Sequence, residues 1–251
     1  MKSLRPFALL LFAWPLALAA GTADTLVQRA LAAEAHFDAK TALGFFLQAD
    51  AARPNDPFIL EKISKQYSDS ISDTPDPDEK KRRAEKAVAY AQRAVALEPK
   101  SAVNLTALAV SYGKLGFYSE TRTEIAYSRL VEDYAERALA LDPDYDWANH
   151  VLGRWNYEVA SLGATKRFFA KLIYGGLPPA STAEAVRLLR RAVKLAPQIA
   201  AHHVELGFAY LADKQPELAR AEFEQAMGMP LHEKYDIEEK IRAQTALEKL
   251  P

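Results

Sequence analysis

The sequence AVALEP at residues 94–99 decides the fold, because the same pattern returns three more times along the chain. The other copies read ADAARP at 49–54, ALALDP at 138–143 and AVKLAP at 192–197. Each copy places an alanine five residues before a proline. An alanine lets two helices lie close together, and a proline ends a helix because it has no N–H group to donate. The pattern therefore predicts four close-packed helices, each followed by a turn.

A second pattern precedes these helices and predicts a partner helix for each. A large apolar residue is followed by an apolar–small pair and then by an aromatic residue, as in Leu105, Leu108-Ala109 and Tyr112. The same order occurs at Leu60, Ile63-Ser64 and Tyr67, and again at Leu206-Gly207 and Tyr210. Together the two patterns are typical of the tetratricopeptide repeat (TPR), a helical hairpin whose period is about 34 residues.

The spacing of the repeats departs from that period. The four prolines lie 45, 44 and 54 residues apart, and we expect the extra residues to fall in the connections between paired helices. The fourth unit also carries Asn156 where the aromatic residue belongs. The first unit matches the pattern only in part, as expected for a terminal repeat that has a neighbour on one side only.

These observations predict an all-α TPR solenoid of about five helical hairpins, with inter-helix insertions and a C-terminal capping helix at 234–250. The repeats lie near residues 23–56, 57–101, 102–145, 146–199 and 200–231. The predicted first helices are 24–36, 57–68, 102–115, 146–160 and 200–212, and the second helices are 39–52, 79–97, 122–141, 181–195 and 216–227. On the capping helix we expect Glu238, Glu239, Arg242 and Lys249 to face solvent.

The N-terminus has the pattern of an export signal. Lys2 and Arg5 precede an apolar run from Phe7 to Leu18, and Ala17-Leu18-Ala19 is the small-x-small pattern that signal peptidase recognises. The run is too short to span a bilayer, which needs about 20 residues. We expect residues 1–19 to be a cleaved signal peptide, residues 20–251 to form the solenoid, and the mature protein to be periplasmic. A buried first helix and an uncleaved anchor are the alternatives.

Composition and motifs argue against several classes of function. The chain has 32 basic and 33 acidic residues and no cysteine, so it lacks the basic excess of a nucleic-acid binder and any thiolate metal site. The zinc motif H-E-x-x-H, the G-x-S-x-G elbow and the phosphate-loop motif are absent. The adjacent His202 and His203 point about 100° apart on a helix, which disfavours a shared metal ion. We expect no metal, no cofactor, no catalytic residue and no enzymatic activity.

The region from Leu152 to Pro197 resembles the regulator of microtubule dynamics family, a group of TPR proteins. The likeness lies in the segments Leu152-Gly153-Arg154-Trp155, Tyr157–Ala160, Arg167, Ala170, Tyr174-Gly175, Pro178-Pro179, Ser181-Thr182 and Glu184-Ala185. Residues 121–143 resemble the preceding helices of the family more loosely. The resemblance implies a TPR fold and a groove that holds a ligand. Microtubule association, and organelle tethering with lipid binding, are activities described for eukaryotic members.

In a TPR solenoid the first helices line a concave groove, and the groove-facing positions follow from the repeat pattern. The candidate groove residues are Phe58, Lys65, Val110, Trp147, His150, Arg154, Tyr157, Val204 and Phe208. Lys65 and Arg154 lie two repeats apart, so the basic cluster with which some TPR domains hold a peptide carboxylate is missing. The set suits an apolar chain, an amphipathic helix or a lipid head group near Arg154 or His150. Alternatively, these side chains pack against the insertions.

The insertion 164–181 is the most distinctive segment, because cations alternate with aromatic residues. Its candidate residues are Lys166, Arg167, Phe168, Phe169, Lys171 and Tyr174. The pattern predicts a short amphipathic helix that either lies across the groove as a lid, packs internally, or touches a membrane surface.

We therefore expect a non-enzymatic binding or scaffold protein that holds a protein segment or an apolar ligand in its concave groove. A lipid-binding or membrane-contact protein that uses the same groove and the insertion is the first alternative. A cytoplasmic microtubule-associated regulator is the second, and it requires that the leader is not cleaved.

Overall fold

The computed structural model describes residues 14–174 and 177–250, with side chains from Thr22 onward except those of residues 165, 166, 169, 173 and 174. In these residues all regular structure is helical. The helices are α1 (Trp14–Ala35), α2 (Ala39–Ala52), α3 (Pro57–Asp69), α4 (Pro77–Leu97), α5 (Ala102–Gly116), α6 (Thr121–Leu141), α7 (Asp146–Ala160), α8 (Ala164–Tyr174), α9 (Thr182–Leu195), α10 (Ala200–Ala212), α11 (Pro216–Gly228) and α12 (Tyr235–Leu247), with a 3₁₀ turn at Ile71–Asp73.

The helices form five stacked hairpins. The paired helices are α1 with α2, α3 with α4, α5 with α6, α7 with α9, and α10 with α11. Each second helix also contacts the first helix of the next hairpin, and α3, α5, α7 and α10 contact one another in succession. The first helices thus form one continuous face, and α12 packs against α10 and α11 at the end of the stack. The predicted all-α solenoid is confirmed.

The repeated alanine–proline pattern works as an end signal in four second helices. In each, the residue before the proline donates its backbone N–H to the carbonyl of the repeated alanine, with N–O distances of 2.8 to 3.0 Å. The four alanines, Ala49, Ala94, Ala138 and Ala192, have no exposed surface. The next residue is proline, which has no N–H to add another turn, so the helix ends there.

Small residues also set the distance between the helices of a hairpin. A Cβ atom placed on Gly207 of α10 would lie 2.4 Å from the ring of Phe223 on α11, and one on Gly153 of α7 would lie 2.6 Å from Leu189 on α9. Phe223 and Leu189 are themselves fully buried. These two hairpins can therefore close only around glycine.

In the second and third repeats the extra residues lie largely within the second helices, which corrects the expectation that they form the connections there. The second helices α4 and α6 each have 21 residues. The connection between α5 and α6 spans only residues 117–120. A true insertion occurs in the fourth hairpin, where α8 separates α7 from α9. Longer second helices lengthen the repeat, but first and second helices still alternate along the stack.

The N-terminal part of the fold begins earlier than the sequence pattern predicts. Helix α1 starts at Trp14, whereas the pattern predicts a start near residue 24. The predicted leader, residues 1–19, lies mostly outside the described residues, so export stays a prediction. Within the described part of the chain, no helix combines the length and apolar character that a membrane crossing requires.

Candidate functional site

The concave face of the solenoid is covered by the chain's own C-terminal segment. We call residues 229–236, which join α11 to α12, the C-terminal strap. Glu233 of the strap pairs with Lys65 of α3 at 2.9 Å. Lys234 pairs with Asp73, which follows α3 in the 3₁₀ turn. The strap therefore reaches from the fifth hairpin back to the second.

Tyr235, the last strap residue but one, enters a pocket made by two aromatic rings and two cations. Its ring centroid lies 6.4 Å from that of Trp147 and 6.3 Å from that of His150. Lys114 of α5 lies 5.0 Å from the Tyr235 ring centroid, and Arg154 donates a hydrogen bond of 2.5 Å to the Tyr235 hydroxyl. Burial raises the pKa of Tyr235 well above its usual value, so the phenol stays neutral.

Asp236 fixes the strap to the start of α10. Its carboxylate is fully buried and accepts hydrogen bonds from the backbone N–H groups of Ala201, His232 and Glu233 at 3.1, 2.8 and 3.0 Å. The N–H of Ala201 is one of the groups at a helix start that have no partner within the helix. One side chain thus caps α10 and shapes the strap.

Behind Tyr235 lies a buried cluster of charges contributed by α7, α10 and α12. Glu205 of α10 accepts hydrogen bonds from Arg154 at 2.9 Å and from Arg242 at 2.5 Å, and Tyr157 donates its hydroxyl to the same carboxylate. Arg242 also pairs with Glu239 at 2.5 Å. Glu205 and Glu239 are almost completely buried. The two arginines are matched by Glu205, Glu239 and the more exposed Glu158, which compensates the buried charge.

The two glutamates of this cluster differ in pKa. Burial disfavours the charge of Glu205, but Arg154 and Arg242 outweigh it and lower the Glu205 pKa to about 2. For Glu239, burial and the nearby negative charge of Glu205 raise the pKa to about 7. Glu205 is thus a permanent anion that holds three helices together, whereas Glu239 takes up a proton near neutral pH.

A chain of two histidines and a carboxylate lies beside this cluster. His202 is 3.0 Å from Asp146 through Nε2 and 3.0 Å from His150 through Nδ1. Burial and the neighbouring His202 lower the pKa of His150 well below its usual value, so its ring is neutral. The Trp147 ring packs over both histidines, with centroid distances of 4.9 and 4.8 Å. Among the described residues, no group of three or more His, Cys, Asp or Glu side chains is arranged to hold a metal ion.

At the other end of the strap lies a small polar cavity of about 250 Å³. Lys65 stands in its wall and pairs with Glu34 at 3.2 Å and Asp69 at 2.8 Å, in addition to Glu233. Nearby on α3, burial raises the pKa of Glu61 to about 7. The cations at this end are matched by acidic side chains of the same chain.

Four of the nine predicted groove residues contact the strap: Lys65, Trp147, His150 and Arg154. Tyr157 lies in the apolar core of the last hairpins and donates its hydroxyl to Glu205. Phe58 is 46% exposed and is the second residue of α3. Val110 is partly buried against the central apolar core. Val204 is fully buried in the apolar core of the last hairpins, so its prediction as a groove residue is wrong.

Phe208 lies in a separate apolar trough at the C-terminal end of the stack. The trough has a volume of about 490 Å³ between α10 and α12 and is lined by Phe208, Leu211, Ile241, Arg242, Thr245, Ala246, Lys249 and Leu250. The Phe208 ring packs edge-on against Phe223 at 5.0 Å, and the Arg242 guanidinium lies 4.5 Å from the Phe208 ring centroid. Phe208 is therefore not part of the strap-covered groove.

Of the three alternatives for the insertion, the described residues support internal packing. The contacts of helix α8 there are chiefly with α6, a second helix. Phe168 and Leu172 are 62% and 69% exposed. Arg167 donates a hydrogen bond to the carbonyl of Leu162, and Lys171 is exposed. The side chains of Lys166, Phe169 and Tyr174, which belong to the same prediction, lie outside the described residues.

The sequence interpretation missed the residues that close the groove. Glu239 and Arg242 were expected to face solvent, but Glu239 is 1% exposed and both belong to the charge cluster. The expectation is wrong because α12 packs against α10 and α11, and this packing brings Glu239 and Arg242 to Glu205 of α10. The signal that was available is the spacing of Glu239 and Arg242, three residues apart on one helix face.

The hairpin stacking and the shared concave face define this protein as a TPR-type α-solenoid. TTC0263, a TPR protein from Thermus thermophilus, superposes with a TM-score of 0.65 over 90% of this chain and 99% of that chain, at 17% identity. PilW, a type IV pilus biogenesis factor, superposes with a TM-score of 0.55 over 90% of this chain and 86% of that chain, at 16% identity. At these identities the likeness concerns the fold alone.

The chain belongs to the family of Regulator of microtubule dynamics protein 1-3, whose family model matches residues 24–251. Regulator of microtubule dynamics protein 1 of Mus musculus is 27% identical over 160 residues, which are 63% of this chain and 52% of the mouse protein. Regulator of microtubule dynamics protein 3 of Xenopus laevis is 29% identical over 139 residues, 55% of this chain and 30% of that protein. The chain spans about half or less of the length of these relatives. The expected family is confirmed.

Proposed function

We propose that this chain is a non-enzymatic binding protein that holds a segment of another protein on its concave face. The observation that carries the proposal is the strap itself, a stretch of polypeptide held in the groove by ion pairs and by the partly buried Tyr235. A face that holds one polypeptide through side-chain contacts has the chemistry to hold another. TPR solenoids supply an extended concave surface for this use.

The buried polar cluster supports binding rather than catalysis. Its charged groups are paired with one another, and Tyr235 and α12 fill the space in front of them. A catalytic site needs room for a substrate next to its reactive groups. We propose that the cluster holds α7, α10 and α12 in register and performs no chemistry.

A pair of photo-crosslinking variants tests the proposal. Phe58 on a first helix and Leu97 on a second helix are matched apolar residues, 46% and 45% exposed. A photoreactive benzoylphenylalanine at Phe58 is expected to form polypeptide adducts in cells of the source organism, and the same group at Leu97 is expected to form none. Equal adducts at both positions, or adducts at neither, would refute binding on the concave face.

A lipid-binding role is the second candidate, and the trough between α10 and α12 favours it. The trough is apolar, with Arg242 and Lys249 at its edge, which suits an acyl chain and an anionic head group. The exposed Phe168 and Leu172 of α8, beside Arg167 and Lys171, would suit contact with a membrane surface. Native mass spectrometry tests this role: phospholipid that copurifies with the chain and is lost in Phe208→Asp would favour it over protein binding.

We further propose that the mature chain acts in the periplasm, because Lys2, Arg5 and the apolar run before Ala20 have the pattern of an export signal. N-terminal sequencing of the protein from its own cells is expected to begin at Ala20 or Gly21. A start at Met1 would instead favour a cytoplasmic role, including the microtubule association that the names of the relatives suggest.

A further inference from the structure

The contacts that hold the C-terminal strap differ along its length. At the far end Glu233 and Lys65 are 28% and 25% exposed, and the Lys234 partner Asp73 is 41% exposed. Ion pairs that reach water are weak and are screened by salt. Leu231 is also 39% exposed. The part of the strap over α3 is therefore held loosely.

The helices on both sides of the strap are held firmly. Helix α11 places Phe223 and Ala226 in the apolar core, and α12 places Ala243 there and Glu239 in the charge cluster. Release of the strap moves residues 229–235 away from the groove and breaks the hydrogen bonds from the His232 and Glu233 N–H groups to Asp236, while α11 and the body of α12 stay in place. A short segment tethered between two fixed helices returns quickly and keeps a high effective concentration.

The groove under the strap has a definite chemical preference. When Tyr235 leaves, Lys114 and Arg154 face the vacated pocket together with the rings of Trp147 and His150. Two rings and two cations attract an aromatic side chain that carries or adjoins a negative charge. Lys65 lies further along the groove, at the place where the strap presents Glu233. The spacing on the strap is acidic residue, any residue, tyrosine.

We propose that the strap is an internal competitor for the concave face, and that the partner protein displaces it with a segment that carries an acidic residue two positions before a tyrosine. This inference rests on the proposed function and specifies its partner. The strap shields the two groove cations until such a segment arrives. At any moment the strap fills the groove in a fraction of the molecules. The apparent affinity for the partner is therefore the intrinsic affinity multiplied by the fraction of molecules whose groove is open.

A peptide competition experiment on the full-length protein tests the inference. The probe is a fluorescent peptide with the sequence of residues 229–243, and its affinity is measured by anisotropy against the wild type and against Glu233→Gln/Tyr235→Phe. These two substitutions remove the negative charge of Glu233 and the hydroxyl of Tyr235 that contacts Arg154, and they nearly preserve the size of both side chains. The variant is expected to bind the probe about tenfold more tightly, as for a groove that is about 90% filled in the wild type.

Controls on the probe and on the groove make the result specific. A scrambled probe is expected not to bind, and Lys114→Glu, placed in the variant background, is expected to weaken binding of the authentic probe at least tenfold, because it puts a negative charge beside the tyrosine. Equal affinity of wild type and variant, or equal binding of the scrambled probe, would overturn the inference.

A second measurement reports strap release directly and does not depend on a mutated strap contact. The chain has no cysteine, so Ser72→Cys/His232→Cys offers two unique sites for pyrene, one beside Asp73 and one on the strap. We expect excimer emission that falls when the probe peptide or high salt is added. Emission unchanged by saturating peptide would refute displacement. A chain that exchanges its strap yet gives no adducts at Phe58 would refute the proposed function alone.

Discussion

Two interfaces between successive first helices occupy equivalent places in the solenoid but are built from different groups. Between α3 and α5 the hydroxyls of Ser64 and Ser111 lie 3.0 Å apart, and Ser64 donates to the carbonyl of Ala87 at 2.9 Å. Between α7 and α10 Arg154 pairs with Glu205 at 2.9 Å. In the first interface the two uncharged hydroxyl groups are hydrogen-bonded to each other and to the backbone.

The charged interface includes a third helix. Glu205 is fully buried and receives Arg242 from α12 as well as Arg154 from α7. A buried charge without partners is strongly unfavourable, whereas a paired one is tolerated. The comparison teaches that α12 is not a simple cap. It adds Arg242 and Glu239 to the Arg154–Glu205 pair, so that the buried Glu205 has cationic partners from two helices.

The largest expected effect comes from removing the centre of the charged interface. Glu205→Ala removes the buried carboxylate that the partly exposed Arg154 and Arg242 share, leaves each arginine at least one other carboxylate partner, and is expected to lower the free energy of unfolding by about 3 kcal/mol. Urea denaturation followed by circular dichroism measures this. In the neutral interface, Ser111→Ala leaves Ser64 bonded to Ala87 and is expected to cost only about 1 kcal/mol. Equal losses for the two variants would contradict the distinction between the interfaces.

A pair of glycine substitutions compares the packing of the same two regions. Gly207→Ala in α10 would bring a Cβ to within 2.4 Å of the buried Phe223 ring, whereas in Gly113→Ala in α5 the Cβ would meet Val131 at an ordinary 3.7 Å. We expect Gly207→Ala to destabilise by roughly 1–3 kcal/mol. Gly113→Ala should be neutral or stabilise by up to about 1 kcal/mol, because alanine favours the helix. Thermal melts that rank the two in the opposite order would refute this account of the α10–α11 packing.

The smallest effect is a pH dependence of stability that has opposite sign for Glu61 on α3 and for Glu205 in the charge cluster. Glu61 on α3 has a pKa raised to about 7 from 4.5 by burial. Between these values the folded chain keeps a proton that the unfolded chain has lost, so this residue lowers stability as the pH rises from about 4.5 to 7. For Glu205, whose pKa is lowered to about 2, stability is instead lost as the pH falls from about 4.5 toward 2.

Urea unfolding at several pH values separates the contribution of Glu61 to stability from that of Glu205. A full shift of the Glu61 pKa from 4.5 to about 7 would correspond to about 3 kcal/mol. Because Glu61 is partly exposed, Glu61→Gln is expected to reduce the loss of stability between pH 4.5 and 7 by a smaller amount, on the order of 1–2 kcal/mol. The same variant should leave the loss of stability below pH 4.5 in place. A slope between pH 4.5 and 7 that is the same in the variant would show that Glu61 is not the group responsible.

The sequence predicts the helical stack well, since its signals are local. The alanine before each proline marks a helix end that needs only the next few residues. Asn156 breaks the aromatic pattern, and the structure gives the reason: its side chain accepts the Ser181 N–H at 3.2 Å, where the chain returns after α8. The groove was predicted less well. Val204 occupies a groove-facing position of the repeat pattern, but it is fully buried in the apolar core of the last hairpins, which the repeat pattern does not specify.

What the sequence by itself determined is the succession of helical hairpins, because each boundary depends on residues a few positions apart and each close contact on a small side chain at a fixed place. What only the tertiary structure decided is the state of the concave face. Arg154, Glu205 and Arg242 are separated by dozens of residues and meet only when three helices have packed. Charges read as solvent-facing in one helix become a buried cluster when another helix brings their partners, and that pairing is a property of the assembled chain.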